Sequence, residues 1–129
     1  MTVKHILIID DEEDIQEVAR LALELVGGWQ VSTASCAREG LLLAEALQPD
    51  AILLDVMMPD IDGIAAFEKL QANPVTKQIP VILLTAKVQS VDQRRFAQLG
   101  VTGVIPKPFK SMKLANQVAE LLGGNDFRC

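Results

Sequence analysis

The sequence has no tyrosine, one tryptophan, four phenylalanines and one histidine. With aromatics at 4% of 129 residues, its core has to be aliphatic. Cysteine is scarce too. Cys36 and Cys129 lie far apart without zinc-ligand spacing, and the lone His5 adds no ligand set, which excludes the common zinc sites. Cys36 reads as a small buried or half-buried residue and Cys129 as a free thiol on a loose tail, so nothing demands an oxidising compartment. A basic excess is also lacking: 12 Lys and Arg against 17 Asp and Glu leave a net charge of -5 and a pI near 4.8. General nucleic-acid and anionic-membrane binders need a basic face, so neither partner is expected. No apolar run approaches the roughly 20 residues of a membrane span. The N-terminus meets only four apolar residues before two aspartates, which is not a signal-peptide pattern. These absences predict a soluble cytoplasmic protein.

What is present is a globular composition, 50% hydrophobic and 22% charged. The length suits one domain over residues 1–129, with a core at about 4–122 and a frayed tail at 123–129. Short apolar runs rich in Ile, Leu and Val at 6–9, 51–54 and 81–84 fit strands covered on both faces. Weaker strands are expected at 30–33 and 103–105.

Helical patterns alternate with these runs. Over 12–26 the apolar positions Ile15, Val18, Ala19, Ala22, Leu25 and Val26 recur every three or four residues. Glu12, Glu13 and Asp14 suit the positive end of that helix dipole, and Gly27-Gly28 closes it. Ser35 is the expected cap of a second helix running to about 47, before Pro49. A third is expected at 63–71, capped by Asp62 and stopped by Asn73-Pro74. A fourth is expected at 90–99 before Gly100, and a fifth at 112–122 between Ser111 and Gly123-Gly124. Strand followed by helix, five times over, predicts an α/β fold with a parallel five-stranded sheet and helices on both faces.

In open sheets of this kind, ligands bind beyond the carboxyl ends of the strands. Asp10-Asp11 follow strand one, Asp55 strand three, Thr85 strand four and Lys107-Pro108 strand five. Each has a bland reading by itself: dipole-favoured acids, a strand-end hydroxyl, a solvated lysine. Asp55 resists it most, because it directly follows an apolar run where a carboxylate needs a partner. Together they place three carboxylates, a hydroxyl and an ammonium at one sheet edge. Oxygen ligands without His or Cys suit Mg2+. A carboxylate beside Mg2+ can attack a phosphoryl donor to give an aspartyl phosphate, with Thr and Lys holding phosphoryl oxygens.

The stretches ILIIDDEEDI, ILLDVMMPDIDG, VILLTA and IPKPF, in that order, resemble the receiver domain of two-component response regulators, in its single-domain, chemotaxis-regulator-like form. The resemblance covers about residues 4–122. It implies a doubly wound, flavodoxin-like sheet of order 2-1-3-4-5 with five helices. It implies Asp55 as phosphoacceptor. It implies a Mg2+ site of Asp11 directly, Asp10 through water, Asp55, and the backbone carbonyl of Met57. Thr85 matches the switch hydroxyl, Ala86 the small residue beside it, and Lys107 the lysine that pairs with the phosphoryl group. Lys107-Pro108 is expected to be cis, and Pro59 and Gly63 match the turn after strand three. Met57 and Lys87 match positions where receivers vary the phosphoryl lifetime.

One position departs from the pattern. Three residues before the lysine, where many receivers carry an aromatic switch, stands Val104, whose branched side chain cannot act as the same rotamer switch. The implied function is a phosphoprotein of two-component signalling, not an enzyme beyond its own phosphorylation and dephosphorylation. A histidine kinase or phosphotransfer protein donates the phosphoryl group. A downstream protein binds the fourth helix, fifth strand and fifth helix, a face including Arg94, Arg95, Val101, Thr102, Val104 and Lys113. The expected state is a monomer or weak dimer. Three other readings compete: a phosphorylation-independent binding module, the receiver portion of a longer DNA-binding regulator, and a phosphohydrolase like the haloacid dehalogenases. The last group carries a second aspartate where this chain has Met57.

Overall fold

The computed structural model describes residues 4–58, 60–86, 94, 96 and 98–123. Its strands are β1 (His5–Ile9), β2 (Gln30–Ala34), β3 (Ala51–Asp55), β4 (Val81–Thr85) and β5 (Gly103–Pro106). They form one sheet of order β2-β1-β3-β4-β5, every neighbouring pair parallel, as expected. Four helices have defined bounds: α1 (Glu13–Leu25), α2 (Ala37–Leu47), α3 (Gly63–Ala72) and α4 (Ser111–Leu121), the last being the helix expected as the fifth. Of the helix expected at 90–99, Arg94, Phe96, Gln98 and Leu99 are helical, and the other positions lie outside the described residues.

Side chains alternate across a strand, so each central strand feeds two cores. Ile6, Ile8, Leu53, Ile82 and Leu84 pack with Ala19, Leu23, Leu114 and Val118 of α1 and α4. Leu7, Ile9, Ile52, Leu54 and Leu83 pack with Ala37 and Ala44 of α2, Phe67 and Leu70 of α3, and Phe96. Every residue of β3 and β4 is buried. That double coverage is why the runs are apolar throughout, and truncating any such leucine to alanine costs about 2–5 kcal/mol.

The helices depart from expectation in three places. The buried positions of α1 are Gln16, Ala19, Ala22 and Leu23, while Val18, Leu25 and Val26, which share the apolar spacing, are 44%, 79% and 46% exposed. Small alanines let the helix lie close to the sheet, and the larger side chains instead border an apolar groove with Leu21 and Met112. The cap of α2 is Cys36, whose sulfur accepts the Glu39 amide at 3.5 Å; the Ser35 hydroxyl lies instead 3.2 Å from the Gln16 side-chain amide. Helix α4 starts one residue early, with Ser111 already helical and Lys110, which has no acceptor, at its cap position. Asp62 does cap α3, its Oδ1 accepting the amides of Ile64 at 2.7 Å and Ala65 at 3.1 Å.

Candidate functional site

The register brings the strand ends together. Ile9 pairs with Leu54, so Asp10 emerges beside Asp55; Asp55 pairs with Leu84, and Thr85 with Pro106, so Thr85 and Lys107 complete the same edge. Asp10 and Thr85 are fully buried and Asp55 is 2% exposed. Charged carboxylates at that depth need a countercharge. Lys107 supplies it: Nζ lies 2.8 Å from Asp10 Oδ2, 3.3 Å from Asp55 Oδ1 and 3.6 Å from Glu12 Oε1. The Lys107 amide donates to Thr85 O at 2.8 Å, tying the loop after β5 to β4, and the Lys107–Pro108 bond is cis, as expected.

Asp10 is held at four atoms. Its amide donates to Ala34 O at 3.0 Å and its carbonyl accepts from Gln16 Nε2. Its Oδ1 accepts the Glu12 amide at 2.9 Å and its Oδ2 accepts from Lys107. Asp55 Oδ1 accepts the Met57 amide at 3.2 Å besides facing Lys107. Burial first, and then the charge of Asp10, push the Asp55 carboxyl up to about 6, against the opposing pull of Lys107 and the Met57 amide. Burial works against the Lys107 ammonium, but its hydrogen bond to Asp10 and the charges of Asp10 and Asp55 outweigh that and raise its pKa.

Asp11 is exposed at the mouth. Asp10, Asp11 and Asp55 each offer an oxygen, and these atoms all lie within 4.8 Å of one another. Three carboxylates against one ammonium leave excess negative charge on an oxygen-only donor set, which fits a hard divalent cation. The sequence-expected residues are otherwise placed as follows. Met57 is two residues past Asp55, with an exposed side chain; Ala86 is exposed beside Thr85; Val104 is half-buried against the core containing Phe96. Pro59, Lys87 and Arg95 lie outside the described residues.

Gly63 explains the turn after β3. Its amide donates to Val56 O at 2.8 Å, and a Cβ there would stand 2.4 Å from Asp55 O and 2.6 Å from the Val56 Cα. Only glycine lets the start of α3 lie against the backbone that carries Asp55. Sequence reasoning missed Gln16, a polar residue on the inward side of α1.

The response regulator receiver domain family matches residues 6–119. The chain belongs to this family. The alkaline phosphatase synthesis transcriptional regulatory protein PhoP of Bacillus subtilis is 37% identical over 119 residues, 92% of this chain and 48% of that protein. The DNA-binding dual master transcriptional regulator RpaA of a Synechocystis strain is 36% identical over 122 residues, 95% of this chain and 50% of that protein. This receiver thus spans about half the length of the curated relatives it matches. In structure it is similar to the chemotaxis response regulator CheY4 of Vibrio cholerae, with TM-score 0.86 and 27% identity over 93% of this chain and 99% of that one. The signal receiver domain of a histidine kinase from Syntrophus aciditrophicus gives TM-score 0.81 and 35% identity over 95% and 92% of the two chains. No helix among the described residues is long and apolar enough to cross a membrane.

Proposed function

We propose that this receiver accepts a phosphoryl group on Asp55 from a histidine kinase or phosphotransfer protein, and that the modified domain changes its affinity for a downstream protein. One observation carries the reading. Asp55 is a nearly buried carboxylate facing an ammonium 3.3 Å away, beside two further acids whose oxygens lie within 4.8 Å.

Asp10, Asp11 and Asp55, with the Met57 carbonyl, are the groups that would hold Mg2+. The bound cation would supply neutralising charge to the carboxylates and to incoming phosphoryl oxygens. In the transfer, an Asp55 oxygen attacks phosphorus and the bond to the donor's leaving atom breaks, its electron pair departing with the donor. Lys107, kept protonated by the acids around it, exchanges part of its contact with Asp55 for a phosphoryl oxygen and so offsets the added negative charge. Thr85, fully buried at the end of the adjacent strand, is the hydroxyl placed to follow the phosphoryl group. The exposed Ala86 leaves room beside it. Catalysis is confined to this self-phosphorylation and to self-dephosphorylation.

The output is read as a population shift felt at the helical residues Arg94, Phe96, Gln98 and Leu99 and at β5 and α4, where Arg94, Thr102 and Lys113 are exposed and Val101 and Val104 are half-buried. With no aromatic at position 104, movement at Thr85 reaches that face through the packing of Val104. The domain works in the cytoplasm as a monomer or weak dimer. A second reading rests on length. The matched PhoP and RpaA are named transcriptional regulators about twice as long, which supports a role as the receiver portion of a DNA-binding regulator.

The test is to incubate the chain with Mg2+ and acetyl phosphate and record its intact mass. The expected result is a labile phosphoryl adduct on the wild type that is absent from Asp55→Asn and absent when EDTA is present. An Asp55→Asn protein labelled at the wild-type rate overturns the assignment. Beryllofluoride, a stable phosphoryl mimic, separates a receiver that accepts only from its own kinase, which binds it, from a phosphorylation-independent module, which does not.

A further inference from the structure

Gln16 lies on the buried side of α1 with 9% exposure, where helix packing favours an apolar residue and an amide is tolerated only with partners. Its Nε2 donates to Asp10 O and to Ala34 O at 3.2 Å, and lies 3.2 Å from Ser35 Oγ. These acceptors stand just past the ends of β1 and β2 and at the last residue of β2. The Asp10 amide joins the same Ala34 carbonyl at 3.0 Å. One side chain on α1 thus fastens two strand ends at the point where the chain turns into the acid pair.

The Asp10 carbonyl belongs to the planar peptide unit that links Asp10 to Asp11. A hydrogen bond to that oxygen therefore sets the direction in which the backbone delivers Asp11. The Asp10 carboxylate is fixed separately, by the Glu12 amide and Lys107. Asp11 is exposed, and its aim comes from the peptide plane behind it.

We propose that Gln16 is a positioning residue for the acid pair: by holding the Asp10–Asp11 peptide it keeps the Asp11 carboxylate turned toward Asp10 and Asp55 and sets the affinity of the site for a divalent cation. This rests on the Mg2+ site proposed above. Partners behind metal ligands typically change affinity by about 10–100-fold when removed. A Gln16 that only satisfied two carbonyls would change folding stability and leave cation affinity alone.

The test is calorimetric titration of Mg2+ into the full chain as wild type, Gln16→Leu, Gln16→Asn and Val118→Ala, with a urea melt of each. Val118 is buried in the core under α4 and serves as a destabilised control. Gln16→Leu, close in volume but without donors, is expected to bind Mg2+ about tenfold more weakly. Gln16→Asn, one methylene short, is expected to lose several-fold, and Val118→Ala to keep wild-type affinity despite its lower stability. A folded Gln16→Leu with wild-type affinity overturns the proposal. If that variant does not fold, Gln16→Asn decides by the same criterion. A wild type that binds no Mg2+ overturns this proposal and the metal site together, whereas equal binding by wild type and Gln16 variants overturns the positioning role alone.

Discussion

Lys107 Nζ sits 2.8 Å from the fully buried Asp10, on the carboxylate oxygen opposite the one that accepts the Glu12 amide. The same ammonium lies 3.3 Å from Asp55, so one cation serves two buried acids. Replacing it with methionine keeps the stem and removes the charge. Lys107→Met is expected to lose about 2 kcal/mol of stability at pH 7 in EDTA, less than for a wholly buried pair because the lysine is 12% exposed. It is also expected to regain part of that loss with Mg2+. Urea melts with and without Mg2+ check this; unchanged stability in EDTA would show that the ion pair contributes nothing.

Asp55 makes stability depend on pH in an unusual direction for a carboxylate. Its pKa rises from 3.8 to about 6 in the fold, so the folded chain holds that proton more tightly than the unfolded chain does. The associated stabilisation is complete below about pH 4 and is lost as pH climbs through 6. At pH 7 in EDTA, Asp55→Asn is therefore expected to be more stable than wild type by about 1–3 kcal/mol. The gap should close on acidification below pH 4. Melts across that range decide it, and a wild type at least as stable as the variant at pH 7 contradicts the assignment.

Asp11 separates folding from cation binding. Because it is exposed, Asp11→Ala is expected to change stability in EDTA by no more than about 0.5 kcal/mol. The wild-type melting temperature should rise with the logarithm of Mg2+ concentration, and that of Asp11→Ala should rise far less. Parallel rises in both proteins would remove Asp11 from the site.

Gly63→Ala probes the turn behind Asp55. The added Cβ would meet backbone atoms at 2.4 and 2.6 Å, and backbone cannot rotate away as a side chain can. A loss of about 1–3 kcal/mol is expected, with slower phosphoryl uptake at a temperature where the variant is still folded. Wild-type uptake by a destabilised variant would confine the glycine to a folding role.

The parts of the fold legible in the sequence were those that burial writes into composition. β1, β3 and β4 are apolar on both faces, so their runs stood out, and the acids at the ends of the β1 and β3 runs marked the sheet edge. Asp62 was legible because an Asx residue directly before a helix has one dominant use. Other features are decided by tertiary contacts. Val18 and Leu25 follow helical spacing as well as Ala19 does, yet they face outward, since apolar residues are common on surfaces too. Ser35 is a good capping residue, but its hydroxyl meets Gln16 and Cys36 takes the cap. Gln16 gave no signal: a glutamine on a helix reads as solvent-facing until β1 and β2 bring their carbonyls to it.

The most direct measurement locates the phosphoryl group. After incubation with Mg2+ and acetyl phosphate, borohydride reduction converts an aspartyl phosphate to homoserine, and peptide mass spectrometry finds the altered residue. Homoserine at position 55 alone, absent with EDTA, is the predicted result. Homoserine at Asp10 or Asp11 with Asp55 intact would contradict the account.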